Sequence, residues 1–149
     1  WNEHIGDGNR GKKLDEETKE KIRQKRLYQI IPKVTKIEKL IKEEVQKRKI
    51  PLEYNKHILK CIPDFSNKEF KIVIFCDGDY WHGNPEKYLP QNLDNIQTHN
   101  ISYDIKNTEM LKKEGYKILR FWEREINESP QRCVDIIERE FLVGGWLYE

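Results

Sequence analysis

The chain has little that would cross-link it. Cys61, Cys76 and Cys133 are the only cysteines among 149 residues. Odd in number and widely spaced, they exclude a disulfide framework and point to a reducing compartment. They offer no CxxC pair for zinc either. No apolar run approaches the ~18 residues needed to span a bilayer, and the polar N-terminus lacks the apolar core of a secretory signal. Hydrophobic residues reach only 36%, no more than the charged ones, so one modest core and one domain are expected. Aromatics at 11%, with four Trp, nevertheless exclude wholesale disorder. The first residue is Trp1 and not Met, and the chain is read as part of a longer polypeptide.

The net charge of +2 conceals an asymmetry. Residues 1–60 hold 17 Lys and Arg against 10 Asp and Glu, whereas residues 61–149 hold 11 against 16. A basic front ahead of an acidic rear suits a polyanion binder with a carboxylate site. Lys-rich helices that merely keep a chain soluble give the same balance, and charge alone favours that plainer reading.

Residues 1–30 read as an extension and residues 31–149 as the main domain. Gly6, Gly8 and Gly11 mark a linker. Asp15-Glu16-Glu17 then opens a helix to about Leu27, its acids at the positive end of the dipole, and Pro32 closes the segment. A second helix is expected over Lys33–Lys49, with Val34, Ile37, Leu40, Ile41 and Val45 on its core face and Glu38 at the flank. Residues 61–66 and 71–76 read as a hairpin turning at Asn67-Lys68. The second of these runs is apolar on both faces, as a central strand should be. Residues 84–99 read as loop, Asn100–Lys113 as a helix ended by Gly115, residues 116–122 as a strand, and residues 130–142 as a last amphipathic helix. The order describes an α/β or α+β domain, a mixed central sheet with flanking helices.

Four residues break their local patterns together: Glu38 on a helix flank, Asp64 in a strand, His82 past a strand end and Asp104 on the buried stripe of a helix. Buried carboxylates are costly unless paired, protonated or bound to a cation. Three of them converging at a strand end would suit a divalent metal with oxygen ligands. Singly, each has a plainer explanation: Asp64 a turn residue, Asp104 a helix ion pair, Glu38 a partner of Lys42. An imidazole between Gly78 and Gly83, at the end of a central strand, is well placed for general acid–base work.

These residues carry a resemblance. Pro63-Asp64-Phe65, the run from Val73 to His82, Asp104, and Gly115-Tyr116-Lys117-Ile118-Leu119-Arg120-Phe121-Trp122-Glu123 together resemble the very short patch repair (Vsr) endonucleases of the PD-(D/E)XK, restriction-endonuclease-like superfamily. With Thr35-Lys36-Ile37-Glu38 upstream, the order E, D, H, D is similar to that of the EDxHD homing endonucleases. The resemblance spans about residues 33–125. It implies Asp64 and the main-chain carbonyl of Cys76 as ligands of Mg²⁺ or Mn²⁺, with Asp77 as a further candidate. By the same resemblance His82 activates water, Glu38 and Asp104 act through it or through metal-bound water, and Tyr80-Trp81 is a pair that wedges between bases. Simple packing under the loop is the competing reading for that pair. Where repair members carry a zinc site, this sequence has Asp79, Gly83 and Asn84, so no zinc is expected.

Residues 8–22 resemble the nuclease-associated modular DNA-binding motifs, a Gly and basic lead-in before an Asp-Glu-Glu-Thr box. That implies Arg10, Lys12, Lys13, Lys21, Lys25 and Arg26 on the phosphates of double-stranded DNA. The expectation is therefore an intracellular, DNA-associated, Mg²⁺-dependent homing endonuclease with no membrane attachment. A mismatch-nicking repair enzyme and an inactive DNA-binding module are the alternatives.

Overall fold

A computed structural model describes residues 15–29 and 34–145. Contacts divide the chain into two units, Trp1–Pro32 and Lys33–Glu149. In the first, helix α1 (Glu16–Gln29) starts where the acids predict, with Asp15 accepting the Thr18 backbone N–H at 2.7 Å. Lys21 pairs with Glu17 at 2.7 Å on its exposed surface. Gly6 to Gly11, Arg10, Lys12, Lys13 and Pro32 lie outside the described residues, as do the side chains of Lys25 and Arg26.

The second unit contains α2 (Lys36–Lys47), β1 (Glu53–Tyr54), β2 (Phe65–Asn67), β3 (Ile72–Asp77), a short 3₁₀ turn (Pro90–Asn92), α3 (Asn95–Lys113), β4 (Lys117–Trp122), α4 (Glu123–Glu128) and α5 (Pro130–Val143). The sheet order is β1-β2-β3-β4. The first two pairings are antiparallel and β3–β4 is parallel, so the sheet is mixed, with α3 as the crossover between its parallel strands.

Central strand β3 alternates as a strand covered on both faces must. Ile72, Ile74 and Cys76 join Ile37, Ile41 and Val45 of α2, Phe121 of β4, Ile126 of α4 and Val134, Ile137 and Phe141 of α5 in the main core. Val73 and Phe75 face the other way, toward Leu111 of α3. One face of the sheet thus carries the bulk of the core, and the α3 face ends in polar residues.

The differences from the sequence reading are local. Thr35 caps α2 by accepting the Glu38 N–H, which places Val34 ahead of the helix and 43% exposed, not in the core. The same helix stops at Lys47, with Lys49 in the left-handed region, before Pro51 is reached. Helix α3 begins at Asn95 and not Asn100, because Asp94 and Gln97 form a capping box inside the amide-rich stretch. Asp64 immediately precedes β2, and β1 and α4 were not foreseen.

Ile41, fully buried, and exposed Val34 make a direct comparison. In urea unfolding, Ile41→Ala should cost about 2–5 kcal/mol and Val34→Ala no more than about 0.5 kcal/mol.

Candidate active site

The loop leaving β3 is held from several sides. Gly83 adopts φ +59°, and a methyl there would meet Ile101 and Leu93 at 3.0 Å, so any larger residue would be strained and would displace those side chains. Asp79, buried, receives the Asn84 amide at 2.8 Å and the Lys87 ammonium. Its own N–H donates to Glu123 Oε2 at 3.2 Å. From α3, Gln97 and Asn100 donate to the carbonyls of Tyr80 and Trp81, both at 2.8 Å. What this framework displays is an edge-to-face aromatic pair, Tyr80 and Trp81, 42% and 56% exposed. They are surface residues, not packing beneath the loop.

The same framework presents His82. Its Nδ1 lies 2.5 Å from Asp104 Oδ2 and 3.9 Å from Asp77 Oδ1. With a carboxylate as acceptor, Nδ1 is the protonated nitrogen, which leaves Nε2 as the free base of the neutral ring. Burial alone would lower the imidazole's pKa, but the Asp104 bond and the Asp77 charge together raise it above its ordinary value. For Asp104, burial is outweighed by His82 and by the Arg120 guanidinium, which hold its carboxyl below the usual range. Arg120 Nη1 donates to Asp77 Oδ2 at 2.7 Å and Nη2 to Asp104 Oδ1 at 3.3 Å. Asp77 is buried deeply enough that its pKa still rises. A cavity of about 440 Å³ opens beside these groups, with Tyr88, Ile101 and Trp122 among its walls.

Asp64 approaches from the hairpin side. Its Oδ2 accepts the Cys76 backbone N–H at 2.6 Å, and it forms no salt bridge among the described residues. Burial pushes its carboxyl up to about 7; the Cys76 bond opposes this, while the charges of Glu38 and Asp77 add to it. Glu38, also buried, is satisfied by hydroxyls: Thr35 donates at 2.7 Å and Tyr54 donates to the other oxygen. Lys42 lies over the Tyr54 ring at 4.7 Å and is not bonded to Glu38.

Among the described residues no three His, Cys, Asp or Glu side chains form a ready-made metal cage. The donor chemistry nevertheless fits Mg²⁺, which is commonly bound through one or two carboxylates plus substrate phosphates and water. Asp64 is a largely buried carboxylate without a salt bridge among the described residues, and a cation there would favour its ionised form. Asp77, the other candidate ligand, is already bonded to Arg120.

The structure therefore brings His82, Asp104 and Asp77 into one cluster and sets Asp64 close enough to feel the charges of Glu38, Asp77 and His82. It adds Arg120, which sequence reasoning gave no role. An Arg alternating with apolar residues in a strand reads as solvent-facing, and only its parallel pairing with Phe75 places it here. Tyr54 was also missed, for the same reason of distance along the chain.

Residues 14–87 match the family described as "DNA mismatch endonuclease Vsr". That stretch of the chain is Vsr-like. Among curated relatives, the type II nicking enzyme V.HpaIIP of Haemophilus parainfluenzae is 36% identical over 77 residues, 47% of this chain and 55% of that protein. The type II nicking enzyme V.NmeDIP of Neisseria meningitidis serogroup C is 30% identical over 84 residues, 52% of this chain and 57% of that one. The chain spans little more than half the length of these relatives. In fold it is similar to the catalytic domain of the homing endonuclease I-Bth0305I, with TM-score 0.55 and 19% identity over 74% of this chain and 97% of that domain. The Vsr-like match takes in Glu38, Asp64 and His82. Asp104 and Arg120 lie beyond it and are placed by the geometry alone.

Because the Asp64 carboxyl is raised from 3.8 to about 7, the folded chain binds a proton there that the unfolded chain has released. Stability in EDTA should therefore fall as pH rises from about 4 to about 7, by on the order of a few kcal/mol. His82, whose pKa is also raised, contributes in the same direction at higher pH, above its ordinary 6.5. Urea midpoints between pH 4.5 and 8 should show a shallower decline for Asp64→Asn than for the native chain, and equal slopes would contradict the burial assigned to Asp64.

Proposed function

We propose that the chain cuts the phosphodiester backbone of double-stranded DNA as a divalent-metal-dependent endonuclease. The observation that carries this reading is an imidazole oriented by a carboxylate at 2.5 Å, at the end of a central strand whose neighbour Asp64 is buried and forms no salt bridge among the described residues. His82 Nε2 takes the proton of the attacking water, and Asp104 stabilises the imidazolium that results. Asp64 and the Cys76 carbonyl hold Mg²⁺ or Mn²⁺. Such an ion, when bound, polarises the scissile phosphate and stabilises charge on the leaving oxygen. Glu38 adds negative charge near Asp64, and its tie to Tyr54 keeps that charge fixed in place. Tyr80 and Trp81 offer bases a stacking or wedging surface.

Lys21 on α1, together with Arg10, Lys12, Lys13, Lys25 and Arg26, supplies phosphate contacts whose strength falls as salt rises. Work on DNA implies an intracellular setting, and among the described residues no helix is long and apolar enough to cross a membrane. Two products are in question. The curated relatives are nicking enzymes at 30–36% identity, which favours one cut strand. The fold likeness to the catalytic domain of a homing endonuclease favours a site-directed enzyme.

Supercoiled plasmid incubated with Mg²⁺ should become nicked or linear, and EDTA should prevent it. Asp64→Ala and His82→Ala should each lower the rate by at least about 10²-fold, within the usual range for a general base. Activity surviving Asp64→Ala would sink the ligand assignment. A preference for duplexes with a T·G mismatch would select the repair reading over homing, and gel retardation without any cleavage would select the binding module.

A further inference from the structure

We propose that Arg120 is the positioning residue of the His82–Asp104 pair, deciding which of two carboxylates the imidazole engages. The proposal rests on the nuclease reading above and deepens it.

Two acids compete for His82 Nδ1: Asp104 at 2.5 Å and Asp77 at 3.9 Å. They arrive from different elements, Asp77 at the end of β3 and Asp104 in the middle of α3. A carboxylate side chain turns about two bonds, so a single contact would not fix its plane. Arg120 supplies the second contact to Asp104 and, among the described residues, the one hydrogen bond to the Asp77 side chain. Its guanidinium lies over the Phe75 ring at 4.4 Å, its partner in the β3–β4 register, so the sheet itself sets the plane of the fork. From there Nη1 takes Asp77 Oδ2 at 2.7 Å, and Nη2 takes Asp104 Oδ1 at 3.3 Å. Asp104 is then gripped at both oxygens, one facing β4 and one facing His82. Asp77 is anchored by the shorter of the two bonds and stands off from the imidazole.

The fork also offsets a charge problem. Asp77 is only 3% exposed and would repel Asp104 across the same ring if neither were neutralised. A lysine at this position would keep the charge but present a point donor, without the rigid two-pronged geometry. Held by Asp104, Nε2 is fixed in direction; with Asp77 as partner the ring would be differently aimed. Both Nη atoms are engaged by protein carboxylates, and it is through these that Arg120 acts on the pair.

The test compares Arg120→Lys, Arg120→Gln and Arg120→Ala with the native chain in plasmid cleavage. Arg124→Gln, an exposed arginine paired with Glu86 and Glu128, serves as the control for losing one positive charge. Each Arg120 variant should lose about 10²-fold in kcat, the scale of a misplaced catalytic group, with KM for DNA within about twofold of native. Arg124→Gln should cleave at the native rate. Added guanidinium ion, and not ammonium, should restore part of the Arg120→Ala activity. Imidazole-selective nitrogen–proton spectra of the DNA-free chain should show a low-field His82 Nδ1–H that shifts or vanishes in Arg120→Gln. A native kcat with an unchanged His82 resonance in that variant overturns the proposal. So does a raised KM at constant kcat, which would make Arg120 a phosphate contact. If Arg120→Gln does not fold, Arg120→Lys decides by the same readouts. Should the native chain cut no DNA, the nuclease reading fails on its own, and the His82 resonance alone still tests whether Arg120 sets the pair.

Discussion

The parallel pairing of β3 with β4 governs the geometry of the candidate site, because it matches Phe75 with Arg120 and Asp77 with Trp122. Strand alternation then sorts chemistry from packing. On one face, Ile72, Ile74, Cys76 and Phe121 disappear into the core with α2, α4 and α5. On the other, Arg120 and Asp77 reach the end of the sheet, where α3 delivers Asp104. A register slip of one residue would move Arg120 into the apolar core, at a cost no ion pair would recover. The dense packing of the first face therefore fixes the charges on the second.

Those charges do not balance. Asp77 and Asp104 face Arg120 and His82, Asp64 lies nearby with Glu38 beside it, and the compensation is uneven. Arg120 serves Asp77 and Asp104, while His82 serves Asp104. Glu38 receives two hydroxyl donors, which satisfy its lone pairs and leave its charge intact. Asp64 is left with one backbone N–H. Its own burial and the charges of Glu38 and Asp77 oppose ionisation there, against the Cys76 N–H and the His82 charge. A folded chain tolerates this only because other contacts outweigh it, and the imbalance falls at the position where a divalent cation has most to gain. The same arrangement that weakens the metal-free chain at neutral pH is what makes Asp64 a good oxygen ligand.

Much of this was legible from residue types in local context. Glu38 and Asp104 sit beside or on the apolar stripes of their helices, Asp64 just ahead of β2 and His82 past the end of β3, and the hairpin and central strand follow from alternation and turn residues. Misplaced boundaries trace to capping: Thr35 excludes Val34 from α2, and Asp94 with Gln97 extends α3 into a stretch whose amides look like loop. Arg120 was not legible, because its meaning depends on a strand partner 45 residues away and on carboxylates from two other elements. Tyr54 was hidden likewise, in a strand of two residues too short to give a periodic signal.

The loop that carries His82 is built for display without freedom. Between residues 78 and 84 the exposed side chains are the large aromatic ones, Tyr80 and Trp81, while the small polar ones, Asp79 and Asn84, are buried and bonded. That inverts the usual distribution. A loop of this kind left mobile would have to be ordered on contact with DNA, at roughly 1–2 kcal/mol for each residue fixed. Here the ordering is done in advance by Gln97, Asn100, Glu123 and Lys87. The two aromatic side chains and the imidazole share one short rigid segment, so stacking against the former would set where a phosphate meets the latter. In the proposed reaction, base contact and bond cleavage are thus coupled through a few residues of backbone and not through a domain movement.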